Sequence, residues 1–160
     1  MRFRQVDVAD PEAITLLGAY FAERSAGFPA DQGTYRPTYP TTAQFTPPAG
    51  VFLVVEDDDG TVIGCGGVRR VESRPGTDDL RFEVKHLWLT PAARGHGAGR
   101  RLLAELERRA IDFGADELVL DTNASLEAAG GLYRSSGYAE IEPYNANPNA
   151  THWYGKQVRR

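Results

Sequence analysis

Three glycines alternate with other residues in Arg94-Gly95-His96-Gly97-Ala98-Gly99-Arg100, between a predicted strand and a predicted helix. Because glycine has no Cβ, the backbone there can approach a ligand closely. The helix that follows presents free backbone N–H groups and the positive end of its dipole. Arg94 and Arg100 add positive charge. The segment is therefore typical of a site for a phosphate or pyrophosphate group.

The glycine spacing separates this segment from two common nucleotide-binding motifs. A P-loop would end in Gly-Lys-Ser/Thr, which is missing here. The dinucleotide fingerprint Gly-x-Gly-x-x-Gly would need its last glycine where Arg100 or Leu102 stands. Asp121 nevertheless lies roughly 20 residues farther on, where that fingerprint has a ribose-binding acid. A dinucleotide site therefore stays open as an alternative.

The segment resembles the cofactor-binding motif of the GCN5-related N-acetyltransferase (GNAT) superfamily, Arg/Gln-x-x-Gly-x-Gly/Ala. Arg94 to Gly99 match it at every defined position. A second segment, Leu132-Tyr133-Arg134-Ser135-Ser136-Gly137-Tyr138, is similar to the family's Leu-Tyr-x-x-x-Gly-Phe/Tyr sequence. The resemblance covers residues 51–142. It implies the GNAT acyl-CoA N-acyltransferase fold, an α/β (α+β) arrangement with a mixed, mostly antiparallel central sheet flanked by helices.

The resemblance implies acetyl-CoA as co-substrate and no metal. The glycine segment would hold the phosphates, and the backbone of the preceding strand would pair with the pantetheine arm as an added strand does. The N–H of Leu87 would polarise the thioester carbonyl. Many members carry an Asn where this chain has Leu126, so that polar contact is not expected. The implied cofactor-binding residues are Leu87, Trp88, Leu89, Arg94, Gly95, His96, Gly97, Ala98, Gly99 and Arg100.

Acetyl transfer to an amine needs a neutral amine and a proton donor for the departing thiolate. A lysine-like amine has a pKa of about 10.4, so deprotonation near pH 7 costs about 4.6 kcal/mol. Glu83 matches the position of a catalytic Glu in several family members and is the candidate general base. The alternative for Glu83 is a solvated glutamate paired with Lys85. Tyr133 is the candidate general acid, and its alternative is a tyrosine at a helix–sheet contact.

Several other polar residues are better explained by structure than by chemistry. Cys65 lies in an apolar strand and is expected to be a small core residue. The run of aspartates at 57–59 ends in Gly60 and predicts a hairpin turn. A calcium loop is not expected, because Val68 stands where an EF-hand needs its Glu. His152 and Trp153 fall in a region that often borders the substrate in this family.

These residues need a scaffold, and the pattern predicts the order β, α, irregular, β, β, β, α, β, α, β, β. The first helix is expected to have Asp10 as its N-cap and Pro11 at its first position. Its apolar residues at helical spacing are Ile14, Leu17, Tyr20 and Phe21. The strands around 81–89 and 117–122 should be parallel, joined by a helix over 99–113, and should splay apart to form the cofactor cleft. Residues 28–50, 69–80 and 143–154 are expected to shape the acceptor pocket.

The 160 residues suit a single domain, 1–160, with 41% hydrophobic and 25% charged residues. A net charge of −4 argues against nucleic-acid binding and slightly favours a cationic substrate. The lone cysteine permits no internal disulfide, and no apolar stretch of membrane-spanning length occurs, so a cytoplasmic location without membrane binding is expected. A homodimer stays open.

The sequence therefore predicts an N-acetyltransferase that moves an acetyl group from acetyl-CoA to a primary amine of a small-molecule acceptor by direct attack. A non-catalytic acyl-CoA-binding module is the alternative. The sequence does not identify the amine.

Overall fold

A seven-stranded sheet, ordered β1-β2-β3-β4-β5-β7-β6, forms the centre of the computed structural model, which describes residues 1–158. Every neighbouring pair of strands is antiparallel except the parallel pair β4–β5. The predicted mixed, mostly antiparallel sheet is therefore confirmed. The strands are β1 (Arg2–Gln5), β2 (Gly50–Glu56), β3 (Val62–Val71), β4 (Arg81–Leu89), β5 (Glu117–Thr122), β6 (Ala139–Glu140) and β7 (His152–Gln157).

The helices are α1 (Pro11–Ala26), α2 (Ala98–Asp112) and α3 (Glu127–Ser135), with short 3₁₀ helices at Ala30–Gln32, Ala43–Phe45 and Pro91–Ala93. Pro11 stands at the first position of α1 as predicted, but the side chain of Asp10 caps no N–H group. Ile14 shares the helical spacing of Leu17 and Phe21 but is 56% exposed. Within residues 1–158, none of the helices has the length and apolar character that crossing a membrane requires.

The two faces of the sheet bury separate hydrophobic clusters. Helix α1 covers one face through Leu17 and Phe21, which pack with Phe52 and Trp88. Helices α2 and α3 cover the other face. Leu102, Leu103, Leu106 and Ala110 of α2 are buried in this second cluster. Burial of apolar surface stabilises a folded protein by about 25 cal/mol for each Å² removed from water. These clusters therefore stabilise the packing of the helices on both faces of the sheet.

The parallel strands β4 and β5 separate along their length. They pair only where Arg81–Glu83 lies beside Glu117–Val119. The edge of β4 that faces β5 has no strand partner after Glu83 within the described residues, whereas β5 stays paired with β7 as far as Thr122. A wedge-shaped cleft opens between them, as predicted.

A bulge in β4 lies at this cleft. The register passes from Gly67 opposite Lys85 to Cys65 opposite Trp88, so His86 and Leu87 together face one residue of β3. His86 adopts a φ of 56°, which is uncommon for a residue other than glycine. A bulge bends its strand and increases the local twist. The bulge therefore turns the second half of β4 at the point where β5 leaves it.

An ion pair joins the two strands where they still lie together. Nε of Arg81 is 2.8 Å from Oε2 of Glu117, and both side chains are buried. Arg81→Leu would leave the Glu117 carboxylate buried without its partner, so the free energy of unfolding should fall by about 3 kcal/mol or more. Urea unfolding measures this loss. The exposed Arg108→Leu is the control and should change stability little.

A double variant tests whether the loss comes from the unpaired charge. Arg81→Leu combined with Glu117→Leu removes both charges and should recover most of the stability. If the double variant is as unstable as the single one, the ion pair is not what joins the strands.

Candidate functional site

Two adjoining cavities open from the cleft between β4 and β5. The first, of about 580 Å³, borders the glycine segment and is called the glycine-loop cavity. The second, of about 520 Å³, is walled by the rings of Tyr20, Phe21, Phe28, Tyr35 and Tyr39 and is called the aromatic cavity. Both cavities share a set of lining residues, which are Glu23, Arg24, Leu87, Ser125, Leu126 and Tyr133. Two ligands could therefore meet at this boundary.

The glycine-loop cavity lies at the N-terminus of α2. Gly95 and Gly97 have φ values of 82° and 83°, a conformation that favours glycine, and Gly97 is the N-cap of α2. No atom lies within 4 Å of where a Cβ would stand at either position, so the backbone is open to a ligand. The first turn of α2, from Ala98 onward, presents N–H groups without intrahelical partners. This loop fits a phosphate-bearing group.

The cavity lining includes most of the residues named from the sequence as cofactor-binding. They are Leu87, Trp88, Leu89, Arg94, Gly95, Gly97, Gly99 and Arg100. His96 and Ala98 are not among the lining residues. Gly99 lies inside α2, where a Cβ would meet Leu132 at 3.5 Å and Leu89 at 3.7 Å.

The side chains of the two arginines in the glycine segment are held by hydrogen bonds to other elements. Nη2 of Arg94 lies 2.7 Å from Oε1 of Glu23, and Nε1 of Trp88 donates to Oε2 of the same carboxylate at 3.0 Å. Partial burial disfavours ionisation of Glu23, but these bonds outweigh it, so its pKa lies below the usual range. Arg100 donates to Oγ of Ser135 at 2.7 Å. The glycine segment is thus tied to α1 and α3.

Tyr133 lies on the boundary between the two cavities. Its side chain is buried, and its hydroxyl makes no hydrogen bond to the part of the chain that the structure describes. Burial, assisted by the nearby Tyr20, raises the pKa of Tyr133 to about 12. The phenol therefore stays protonated at neutral pH, with its proton free for a ligand at the boundary.

Glu83 is not the solvated glutamate that the sequence left open as its alternative. It is 1% exposed, and its Oε1 accepts bonds from Nε and Nη2 of Arg69 at 3.0 and 2.9 Å. The hydroxyl of Tyr144 donates to its Oε2 at 2.6 Å. Lys85 is more distant, with Nζ at 3.9 Å. Glu83 is not among the residues that line the aromatic cavity, so a proton from that cavity would reach it through an intermediary.

Asp121 is the polar residue that sequence reasoning undervalued. It lies where β5 has separated from β4, and it lines the aromatic cavity. Its carboxylate accepts bonds from Nδ2 of Asn145 at 2.7 Å and Nδ2 of Asn147 at 3.1 Å, with Nζ of Lys85 at 3.5 Å. The sequence did place Asp121 at the end of a strand, next to the predicted separation of β4 and β5, and this position could have indicated a site residue. Asp121 does not line the glycine-loop cavity, which removes the ribose-binding acid from the dinucleotide alternative.

The structure confirms two smaller expectations, those for Cys65 and for the hairpin turn at Asp57. Cys65 is fully buried, and burial raises the pKa of its thiol to about 12, as suits a core residue. Oδ1 of Asp57 accepts bonds from the N–H groups of Asp59 and Thr61, which forms the predicted hairpin turn. No group of His, Cys, Asp and Glu suited to a metal occurs within residues 1–158.

Some segments expected around the acceptor do not reach it. His152 and Trp153 do not line the aromatic cavity, because β7 carries them away from the cleft, and Nε1 of Trp153 donates to Asn145 instead. Of residues 69–80 only Arg69 lines the cavity. Residues 28–40 and 145–150 lie over the aromatic cavity and together are called its cover. Many family members have an Asn where this chain has Leu126. The nearby Asn123 does not take its place, because its amide donates to Gln32 and to the carbonyl of Asn149.

The fold combines splayed strands, a glycine loop at a helix N-terminus and a second cavity. It therefore belongs to a class of protein with room for a phosphate-bearing group next to a second ligand. The family model described as Acetyltransferase (GNAT) family matches residues 18–138, and the chain belongs to this family.

Relatives and solved structures agree with this membership. The chain is 36% identical over 105 residues to an uncharacterized N-acetyltransferase of Schizosaccharomyces pombe, covering 66% of this chain and 61% of that one. It is 37% identical over 93 residues to an IAA acetyltransferase of Azospirillum brasilense, covering 58% and 57%. The matches thus span about three fifths of these relatives. A GNAT-family acetyltransferase from Staphylococcus aureus has the same fold, with a TM-score of 0.75, 13% identity and coverage of 99% and 100%.

Proposed function

We propose that the protein is an N-acetyltransferase that transfers the acetyl group of acetyl-CoA to a primary amine of a small-molecule acceptor by direct attack. One observation carries this proposal. Leu87 and Tyr133 line both cavities, so a cofactor on the glycine loop and an acceptor in the aromatic cavity meet at these two residues. A binding module without catalysis would have no need of the second cavity.

The residues of the glycine-loop cavity suit acetyl-CoA. The N–H groups around Gly95 and Gly97 and the start of α2 would hold the pyrophosphate, and Arg94 and Arg100 would supply positive charge. The unpaired edge of β4 after Glu83 is open to the amide groups of the pantetheine arm, as a sheet edge is to an added strand. Acetyl-CoA supplies the activated acyl group as a thioester. The N–H of Leu87, beside the bulge, is the proposed donor to its carbonyl oxygen.

The acceptor amine must lose protons before and during bond formation. Glu83 is the proposed general base. The hydroxyl of Tyr144 donates to it, but neither residue lines the aromatic cavity, so a bound water between the cavity and this pair is the proposed intermediary. Asp121 is the second candidate, favoured by the observation that it borders the aromatic cavity directly. Both carboxylates lie within 4 Å of Nζ of Lys85, at 3.9 and 3.5 Å.

Tyr133 is the proposed donor to the departing sulfur. A thiol of the cysteine type has a pKa of about 8.5, against about 12 for Tyr133. Complete transfer of the phenolic proton to such a thiolate is thus uphill by about 5 kcal/mol. Tyr133 is therefore expected to stabilise the leaving sulfur by a hydrogen bond, and the proton that the sulfur keeps comes ultimately from the amine nitrogen.

Acetyl-CoA-dependent release of free CoA, measured with a broad panel of amines, tests this function. Turnover with at least one amine class is the expected result, with the acetylated amine identified by mass spectrometry. Binding of acetyl-CoA without turnover of any amine would favour the binding module. If acetyl-CoA neither binds nor raises the melting temperature, both functions are wrong.

Gly97→Ala should weaken acetyl-CoA binding by about 5- to 30-fold. A side chain at a φ of 83° costs about 1–2 kcal/mol, so the free loop is expected to shift away from this conformation, and binding must restore it. Isothermal titration with acetyl-CoA measures the change. Gly76→Ala is the matched control, because Gly76 has a φ of 79° and equally open space but lies outside both cavities. Equal losses of affinity in the two variants would contradict a role for the loop in binding.

A further inference from the structure

The aromatic cavity holds more positive than negative side chains. Its cationic lining residues are Arg24, Arg36, Arg69 and Lys85, and its anionic lining residues are Glu23 and Asp121. Four of these six charges, those of Arg69, Lys85, Asp121 and Glu23, already have a partner of opposite charge. Arg69 pairs with Glu83 at 2.9 Å, Lys85 lies 3.5 Å from Asp121, and Glu23 pairs with Arg94 at 2.7 Å. Arg24 and Arg36 remain.

Neither of these two guanidinium groups has a carboxylate within 4.0 Å among residues 1–158. Arg24 is half-buried on the last turn of α1, with Cζ 5.2 Å from the centre of the Tyr20 ring. Its positive charge acts on Tyr133 and Tyr35, where it opposes the rise in pKa that burial causes. Arg24, which also acts on the Glu23 carboxylate without an ion-pair contact, therefore places positive charge beside the boundary of the two cavities. Arg36 adds a second positive charge at the cover.

The cover over the cavity is closed by hydrogen bonds between the two segments that form it. The backbone N–H of Arg36 donates to Oδ1 of Asn149 at 3.0 Å, and Nδ2 of Asn149 donates back to the carbonyl of Arg36 at 2.7 Å. Nδ2 of Asn123 donates to Oε1 of Gln32 at 2.7 Å. The first two bonds link residues 28–40 to the loop at 145–150, and the third links them to Asn123, just after β5. A compact acceptor fits a cavity of about 520 Å³ closed in this way better than a long chain does.

We infer that the acceptor is a small amino carboxylate, such as a free amino acid, with an apolar or aromatic side chain. Its carboxylate pairs with Arg24 and Arg36, because a guanidinium group binds a carboxylate through two parallel hydrogen bonds. Its side chain packs against the aromatic rings of the cavity, and its amine points to the boundary at Tyr133. The net charge of −4 had slightly favoured a cationic substrate, but the charge inside this cavity has the opposite sign. The inference rests on the proposed acetyltransferase function.

Pairs of acceptors that differ only in the carboxylate test the inference. The standard amino acids are compared with their carboxamides, alongside phenethylamine, spermidine and a short peptide, in the CoA-release assay. For the best acceptors, the acid should have a kcat/KM about 10- to 100-fold higher than its amide, as for loss of a hydrogen-bonded ion pair. In Arg24→Gln and in Arg36→Gln this ratio should fall toward one. Arg70→Gln is the matched control, since Arg70 is exposed and lines neither cavity.

Three results would overturn the inference. If amides, spermidine or the peptide react as well as the amino acids, the acceptor is not a carboxylate, although the acetyltransferase function stands. If Arg24→Gln raises the KM for acetyl-CoA and leaves the acid-to-amide ratio unchanged, Arg24 serves the cofactor. If acetyl-CoA binds but no amine is acetylated, the proposed function fails and takes the inference with it. Because Arg36 is exposed, Arg36→Gln keeps the test valid if Arg24→Gln does not fold.

Discussion

Tyr133→Phe is expected to lower kcat by about 10²- to 10³-fold, the range found when one hydrogen-bond donor to developing negative charge is removed. The phenolic hydroxyl lies at the boundary of the two cavities, and its raised pKa keeps it protonated. Phenylalanine keeps the ring that packs in the core cluster, so acetyl-CoA should bind almost as before. Steady-state kinetics with a saturating amine separates the two effects, because kcat should fall while the KM for acetyl-CoA changes little.

Tyr138→Phe is the matched control for this variant. Its ring lies 6.1 Å from that of Tyr133 in the same buried cluster, but its hydroxyl borders neither cavity. Activity should be nearly unchanged when that hydroxyl is removed. Comparable losses in both variants would mean that Tyr133 acts through packing, and an unchanged kcat in Tyr133→Phe would remove it from the mechanism.

Glu83→Gln is expected to lower kcat/KM by about 10²-fold near pH 7, because a positioned base contributes about 10²- to 10⁴-fold. Without the base, only amine that is already neutral in solution reacts. The deficit relative to the wild type should therefore shrink as the pH rises toward the pKa of the acceptor amine. A series of kcat/KM values across this pH range is the measurement.

Two further variants separate a base from a residue that only holds the site together. Tyr144→Phe keeps the Glu83 carboxylate and removes the hydroxyl that bonds it, so a smaller loss with the same recovery at high pH is expected if Tyr144 relays the proton. Asp121→Asn changes the carboxylate that lines the cavity. A deficit that recovers with pH in Asp121→Asn, with a pH-independent loss in Glu83→Gln, would make Asp121 the base. It would leave Glu83 with the structural role of pairing Arg69.

The elements around the cofactor could be predicted because their causes are local. Alternating glycines before an amphipathic helix indicate a phosphate loop from a few consecutive residues, and Gly95 and Gly97 do adopt the conformation that glycine permits. The strand pattern at 81–89 and 117–122 depends on periodicity over short windows. Ile14 shows the limit of such reasoning, because a one-residue shift of the buried stripe of α1 places it in solvent.

The acceptor side could not be predicted in the same way. Residues 28–40 and 145–150 have no regular periodicity, and they come together through single pairs such as Arg36 with Asn149, 113 positions apart. Pairing of charges is equally non-local. Glu83 is buried because Arg69 and Tyr144 approach it from elsewhere in the chain, and nothing next to Glu83 in the sequence shows this.

The sequence by itself determined the family, the order of the elements and the phosphate loop, since each depends on residues close together in the chain. Only the tertiary structure decided that Leu87 and Tyr133 lie where two cavities meet, that Glu83 is buried while Asp121 faces the cavity, and that Arg24 and Arg36 lack carboxylate partners within residues 1–158. The physical reason is that burial and charge pairing are sums over neighbours in space. Those neighbours come from segments that the chain separates by tens of residues.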